Sequence, residues 1–204
     1  MQKAERLDFI GAFERAWFQY RSNFKELLIW GFVFSLPPIV FYFDITAGVV
    51  FTILFGGFSS ILLANAVMCA SKGVKNDAFS SFSSVMNFLK NGFLISVLLF
   101  PLLIIGTVLL LIPSVALFSV FMFSFFSAAA DQKFAVDALI DSLRMGNGSR
   151  LPLFLFAFIF YAAVAFLLLI FQIALPLGFI ASGCATPYFF SVIYEFYYQL
   201  ETKR

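Results

Sequence analysis

Polar residues in this chain are gathered into four short segments, and long hydrophobic stretches run between them. No charge occurs in Leu27–Phe43, Ile45–Ser71, Asn91–Ala130 or Leu151–Tyr194. A membrane-crossing helix takes about 20 mainly apolar residues, because the hydrocarbon core is roughly 30 Å thick and a helix rises about 1.5 Å per residue. The last two runs, 40 and 44 residues long, each predict two spans. The first two are separated by Asp44 alone and predict two more, joined by a tight turn. The expected fold is an all-α polytopic membrane protein with six transmembrane helices arranged as three hairpins, in a single membrane domain over 1–204.

The polar segments have a pattern of their own. Ile10, Phe13, Trp17, Tyr20 and Phe24 recur at steps of three and four residues, the spacing of one helical face. Asp8, Glu14, Arg15, Arg21 and Lys25 fall mostly off that stripe, as expected of a helix lying in the membrane interface with its aromatic rings at headgroup depth. Such a helix serves as a topological anchor or as a docking surface. Asn76 or Asp77 is placed to cap a second helix with Phe79, Phe82, Val85, Met86 and Leu89 on its apolar face, ending at Asn91-Gly92. Asp131 is placed to cap a third, carrying Val136, Leu139, Ile140 and Leu143 and ending at Gly146 and Gly148. The chain thus reads three times as interfacial amphipathic helix, span, turn, span. That pattern predicts a threefold internal repeat over 1–72, 73–130 and 131–204.

Small residues at four-residue intervals mark the second span of each hairpin. They are Gly56, Ser60 and Ala64; then Ser124 and Ala128 behind the larger Val120; then Gly178, Ser182 and Thr186. Between helices in lipid, small side chains allow the close approach that packing requires. Spans two, four and six are therefore expected at the centre, while the phenylalanines dense on spans one, three and five face lipid or fill gaps. Pro37, Pro38, Pro101 and Pro187 fall inside spans and predict kinks, since each removes a backbone donor.

Charge sets the orientation. All thirteen Lys and Arg residues lie in the polar segments, and the turns near Asp44, Pro113 and Pro176 carry none. Under the positive-inside rule an even number of spans puts every cation, and both termini, on the cytoplasmic side. A five- or seven-span threading scatters the cations over both faces. The first hydrophobic segment is followed by no small-residue cleavage site and reads as a retained span. With 62% apolar and 12% charged residues and a mean hydropathy of +1.00, the composition lies outside that of a soluble globular domain. The basic rim suits topology and attraction to lipid headgroups, and it lacks the concentrated basic face of a nucleic-acid binder. Cys69 and Cys184 are expected to form neither a disulfide nor a metal pair.

Catalytic chemistry finds few supports. The chain has no histidine, which excludes Ser-His and Cys-His nucleophile arrangements and the HExxH zinc site. Gly146-Asn147-Gly148-Ser149-Arg150 lacks the strand and the Lys-Ser/Thr pair of a phosphate loop and reads as a helix stop and turn. Asp137 and Asp141 share a helical face, but Arg144 three residues on offers a partner. Glu195 lies near a helix carboxyl end, which disfavours an anion; it either pairs with a cation from an interfacial helix or snorkels to the headgroups. Within the spans the strongly polar groups are Asn65 and Gln172, and none is charged, which weighs against ion-coupled transport. No catalytic, cofactor or metal site is expected. Gly56, Ser60, Ala64, Gly178, Ser182 and Thr186 are the candidate packing positions, and Trp17, Tyr20, Arg21 and Glu195 the candidate interfacial or partner surface.

Three segments carry a resemblance. Ala16-Trp17-Phe18-Gln19-Tyr20-Arg21-Ser22-Asn23-Phe24, Asp137-Ala138-Leu139-Ile140-Asp141-Ser142-Leu143-Arg144, and Thr186-Pro187-Tyr188 followed by Ile193-Tyr194-Glu195 resemble bacterial YciC-like integral membrane proteins. That group is similar to the membrane region of membrane-anchored glycerophosphodiester phosphodiesterases. The resemblance implies a bacterial inner-membrane location and carries over no catalytic residue, since the soluble phosphodiesterase domain is missing here. The functional expectation is a non-enzymatic scaffold or accessory subunit, meeting membrane lipids and a membrane-protein partner or a second copy of itself. The alternative is a small permease or lipid-handling protein with a route among spans two, four and six, lined by Asn65, Ser60, Ser182 and Thr186. A third reading, an enzyme acting on lipid headgroups, has only Glu195, Asp137 and Asp141 as acids.

Overall fold

The computed structural model describes residues 7–74, 89–109, 111–131 and 133–202, and all ten elements among them are α-helices. In chain order they are α1 (Phe9–Ser22), α2 (Phe24–Phe34), α3 (Leu36–Phe43), α4 (Ile45–Ser71), α5 (Leu89–Leu109), α6 (Leu111–Phe121), α7 (Ser124–Asp131), α8 (Ala135–Met145), α9 (Arg150–Ile173) and α10 (Leu175–Glu201). Five stretches are long and apolar enough to cross a membrane: Ile45–Ser71, Leu89–Thr107, Leu111–Ala130, Arg150–Ile173 and Leu175–Glu201. The chain therefore has the helices of a multi-pass membrane protein.

The first expected span is not one helix. Leu27–Phe43 is divided at Ser35 into α2 and α3, because Pro37 and Pro38 occupy the first turn of α3 and supply no amide hydrogen to the turn before them. Neither half is long enough to count as a span by itself. Ser35 mends the break locally: its Oγ donates to Gly31 O at 2.8 Å and lies in hydrogen-bond contact with Ser182 Oγ of α10 at 2.9 Å. A second interruption, at Met122–Phe123 between α6 and α7, is mended from outside. Ser142 of α8 donates to Val120 O at 2.7 Å and accepts from Phe123 N at 3.2 Å.

Two turns follow the expected positions. Asp44 ends α3 and caps α4, its Oδ1 accepting from Ala47 N at 2.8 Å. Ala174 separates α9 from α10, with Pro176 in the first turn of α10. Other boundaries differ from expectation. Asn91-Gly92 ends nothing: α5 runs through it, because Gly92 is where α5 lies against Gly57 of α4, a Cβ there falling 3.0 Å from Gly57 O. Asp131 closes α7, and the residue before α8 is Phe134. The second interfacial helix, with Asn76, Asp77, Phe79, Phe82, Val85 and Met86, lies outside the described residues.

Burial ranks the spans. Half or more of the most apolar window is buried in Ile45–Ser71 (50%), Leu111–Ala130 (56%) and Leu175–Glu201 (56%), against 33% in Leu89–Thr107 and 17% in Arg150–Ile173. Accordingly α4 packs against α2, α3, α5, α7 and α10, while α10 packs against α1, α2, α4 and α9. Phenylalanines of spans four and six fill gaps within this centre. Phe123, Phe126 and Phe196 are fully buried, with Phe126 stacked on Tyr197 at 5.9 Å. Small residues let backbones touch at the crossings, and the rings fill the space left where the helices diverge.

Candidate functional site: α1 and the polar end of the bundle

The candidate packing positions are all interior. Ser60, Ala64, Ser182 and Thr186 are buried. Gly56 faces the Phe100 ring of α5 and Gly178 faces Phe171 of α9. Ser182 spends its hydroxyl on Ser35, and these groups pack helix against helix. Asn65 is half-buried on α4.

The candidate surface residues converge on α1. Its start is fixed locally: Asp8 precedes the first turn and its Oδ1 accepts from Gly11 N at 2.9 Å. Its inner face is Ala12, Ala16, Gln19 and Tyr20, all buried. Four connections then fasten it to the two central helices. Arg15 Nε lies 2.9 Å from Glu195 Oε2 of α10, and Arg15 Nη1 lies 3.1 Å from Asp8 Oδ2. Asp8 N donates to Gln199 Oε1 at 3.0 Å, and Gln199 Nε2 returns a bond to Asp8 O at 3.2 Å. Tyr20 Oη donates to Cys184 O at 2.9 Å. Gln19 Nε2 donates to Val67 O of α4 at 2.7 Å, leaving Gln19 Oε1 buried with no hydrogen-bond partner among the described residues.

Of the two fates open to Glu195, pairing with a cation is the one observed. The Glu195 hydrogen bond, and less strongly Asp8, holds the Arg15 guanidinium above its ordinary value against the opposing effect of burial. The Gly11 amide first, then Arg15, holds the Asp8 carboxyl below the usual carboxylate range. Burial pushes the Tyr20 hydroxyl up to about 12. Tyr20 is thus a neutral donor at any working pH.

The aromatic stripe read from the sequence divides between two faces. Phe13 turns inward against Phe156, Tyr188 and Phe196, and Tyr20 is buried. Ile10 is 74% exposed and Trp17 54%, and Phe18, outside the stripe, is 76% exposed. The reason is Ala12 and Ala16, whose small side chains bring α1 close enough to α10 to draw the neighbouring rings in with them. Trp17 keeps one edge on Tyr188, with ring centroids 5.8 Å apart. Arg21 is exposed and forms no ion pair among the described residues.

A second polar cluster joins α5, α7 and α8. Lys133 Nζ and Ser127 Oγ each lie 3.0 Å from Asp141 Oδ2, and Asn91 Nδ2 donates to Lys133 O at 3.1 Å. Among the described residues Asp141 pairs with Lys133 and not with the expected Arg144: the turn before α8 brings the lysine back over the carboxylate. Asp137 is exposed, whereas Asp141 is engaged by Lys133 and Ser127. Among the described residues no group of three or more His, Cys, Asp or Glu could hold a metal ion, and Cys69 and Cys184 are both free thiols.

Sequence reasoning missed Asp8, Arg15, Gln19, Gln199 and Ser142. Only Asp8 carried a local signal, an N-cap residue three before Gly11. Compared with protein-family models, with curated proteins and with solved structures, the chain finds no significant match in any of the three.

Proposed function

We propose that this protein is a non-enzymatic membrane scaffold or accessory subunit that presents the outer face of α1 to a membrane-protein partner. In this reading α2 and α3 together cross the membrane as one broken span, giving six crossings in three hairpins. Both termini and every basic segment lie on the cytoplasmic side of a bacterial inner membrane, and α1 and α8 lie in the interface. The resemblance to YciC-like proteins supports that location.

The carrying observation is that α1 is fastened while its outer face is bare. A helix that only anchors a chain is held by lipid and needs no bolts. Here Arg15, Asp8, Gln19 and Tyr20 tie α1 to both central helices, while Ile10, Trp17 and Phe18 are left exposed by the described residues. A surface held in one place beforehand loses less freedom on binding, and exposed Trp and Phe are effective anchor residues at interfaces. The transport alternative draws no support from Ser60, Ser182 and Thr186, which are buried between helices.

Purification of the tagged protein from its own membranes in mild detergent tests the reading. The expected result is a stoichiometric membrane-protein partner that is lost from Trp17→Glu and Phe18→Glu variants whose thermal stability is unchanged. A protein that repeatedly purifies alone, or a partner retained by both variants, contradicts it. Labelling with a membrane-impermeant maleimide in a Cys69→Ser, Cys184→Ser background tests the threading. Cysteine at Asp44 should react from outside the cell and cysteine at Asn147 only after lysis; the reverse pattern, or reaction of both from one side, sinks the six-span arrangement.

A further inference from the structure

A groove of about 450 Å³ opens between α6, α8 and α9, lined by Ala116, Ser119, Val120, Leu143, Gly146, Arg150, Leu151 and Phe154. Its volume is within the usual range of small-ligand sites, roughly 300–1,000 Å³. Its walls are almost wholly apolar. Ser119 spends its hydroxyl on Ala116 O of its own helix, so the one unspent polar side chain on the lining is Arg150. That guanidinium has no ion pair and no hydrogen-bond partner among the described residues. It sits at the first residue of α9, where Ser149 supplies no side-chain cap and the positive end of the helix is uncompensated.

We infer that this groove holds one anionic phospholipid of the surrounding bilayer, with one of its two acyl chains against Val120, Leu143, Leu151 and Phe154 and its phosphate at Arg150. The placement fits a lipid and no soluble anion: an apolar trough beside a membrane-crossing helix fills with hydrocarbon, and a cation at the end of that helix stands at headgroup level. Charge complementarity then selects the headgroup. Zwitterionic lipid fills the trough equally well but brings its own cation to an arginine that needs an anion. The inference rests on the chain spanning a bilayer and is independent of any partner on α1, so the two proposals fail separately.

The test is native mass spectrometry of protein released from nanodiscs that mix phosphatidylcholine with phosphatidylglycerol. Wild-type protein should retain phosphatidylglycerol well above its share of the bilayer. Arg150→Gln should lower that preference about fivefold, the effect of one interfacial cation, while Arg150→Lys keeps most of it. Ala116→Trp, which fills the trough and leaves the charge, should lower retention of both lipids. Equal enrichment in wild type and Arg150→Gln overturns the inference. So does an equal loss from Arg21→Gln, which assigns the preference to the basic rim at large.

Discussion

Gly31 is where α2 meets α10, and the sharpest prediction concerns a single methyl group there. Pro187 lacks the amide hydrogen that the Gly183 carbonyl would receive four residues back in α10, so that oxygen is turned outward. Gly31 lies directly against it. A Cβ at Gly31 would fall 2.5 Å from Pro187 Cγ and closer still to Gly183 O, where ordinary contact begins at 3.4 Å. Alanine therefore requires the helices to separate by about 1 Å. The obstacle is backbone and a proline ring, neither of which can rotate away. Overpacking of this kind costs about 1–3 kcal/mol, whereas replacing glycine by alanine inside a helix returns up to about 1 kcal/mol. Because neither obstacle can move, the overpacking cost falls in the upper part of that range, about 2–3 kcal/mol, so the net expected loss for Gly31→Ala is about 1–2 kcal/mol, a fall in melting temperature of about 2–8 °C for a chain of this size. Gly146→Ala is the control, because its Cβ would meet Leu153 Cδ1 at an ordinary 3.5 Å. Thermal unfolding in detergent, followed by the fluorescence of Trp17 and Trp30, measures both. A Gly31→Ala protein that melts with wild type, or a control that falls as far, refutes the α2–α10 contact.

Three further outcomes are expected. A double-mutant cycle with Arg15→Ala and Glu195→Gln should give a coupling of about 1 kcal/mol, seen as midpoints in denaturant titration that do not add; strict additivity removes the pair from the fastening of α1. Tyr20→Phe should cost about 1 kcal/mol near neutral pH. The raised Tyr20 value means that the neutral hydroxyl's contribution is complete below pH 10.0 and lost as pH rises through about 12, so the variant should lose less stability over that range than wild type in a pH series of melts. Ser142→Ala leaves Val120 O and Phe123 N without their partner and should cost about 1–3 kcal/mol, more than the roughly 0.6 kcal/mol typical of an interhelical bond in membranes; a neutral result by thermal melting means the α6–α7 break is stable by itself.

How far the fold could be read from sequence depended on whether the signal was local. Membrane-crossing stretches announce themselves through length and the absence of charge, and Asp44 marked its turn because a short acidic side chain between two apolar runs caps a helix. Ser35 and Met122–Phe123 were different. The prolines warned of a kink near Ser35, but a kinked helix and two separate helices differ only in whether a neighbour supplies the missing hydrogen bonds, and Ser182 is 147 positions away. Nothing near Met122 warned of a break, since its partner Ser142 belongs to a helix later in the chain. For α1 the large aromatic residues dominated the periodicity, while the docked face was set by Ala12 and Ala16, which barely register as hydrophobic. Glu195 was legible as an acid needing a cation. Its partner Arg15, 180 residues earlier, was not.

The most direct test of a partner-presenting α1 is site-specific photo-crosslinking in living cells. A photoreactive side chain is placed at Phe18 on the bare face of α1, and in a parallel strain at Phe166, an exposed position on α9. Discrete protein adducts from Phe18, with lipid adducts alone from Phe166, are the predicted result. Lipid adducts alone from both positions would reduce α1 to an anchor and contradict the account.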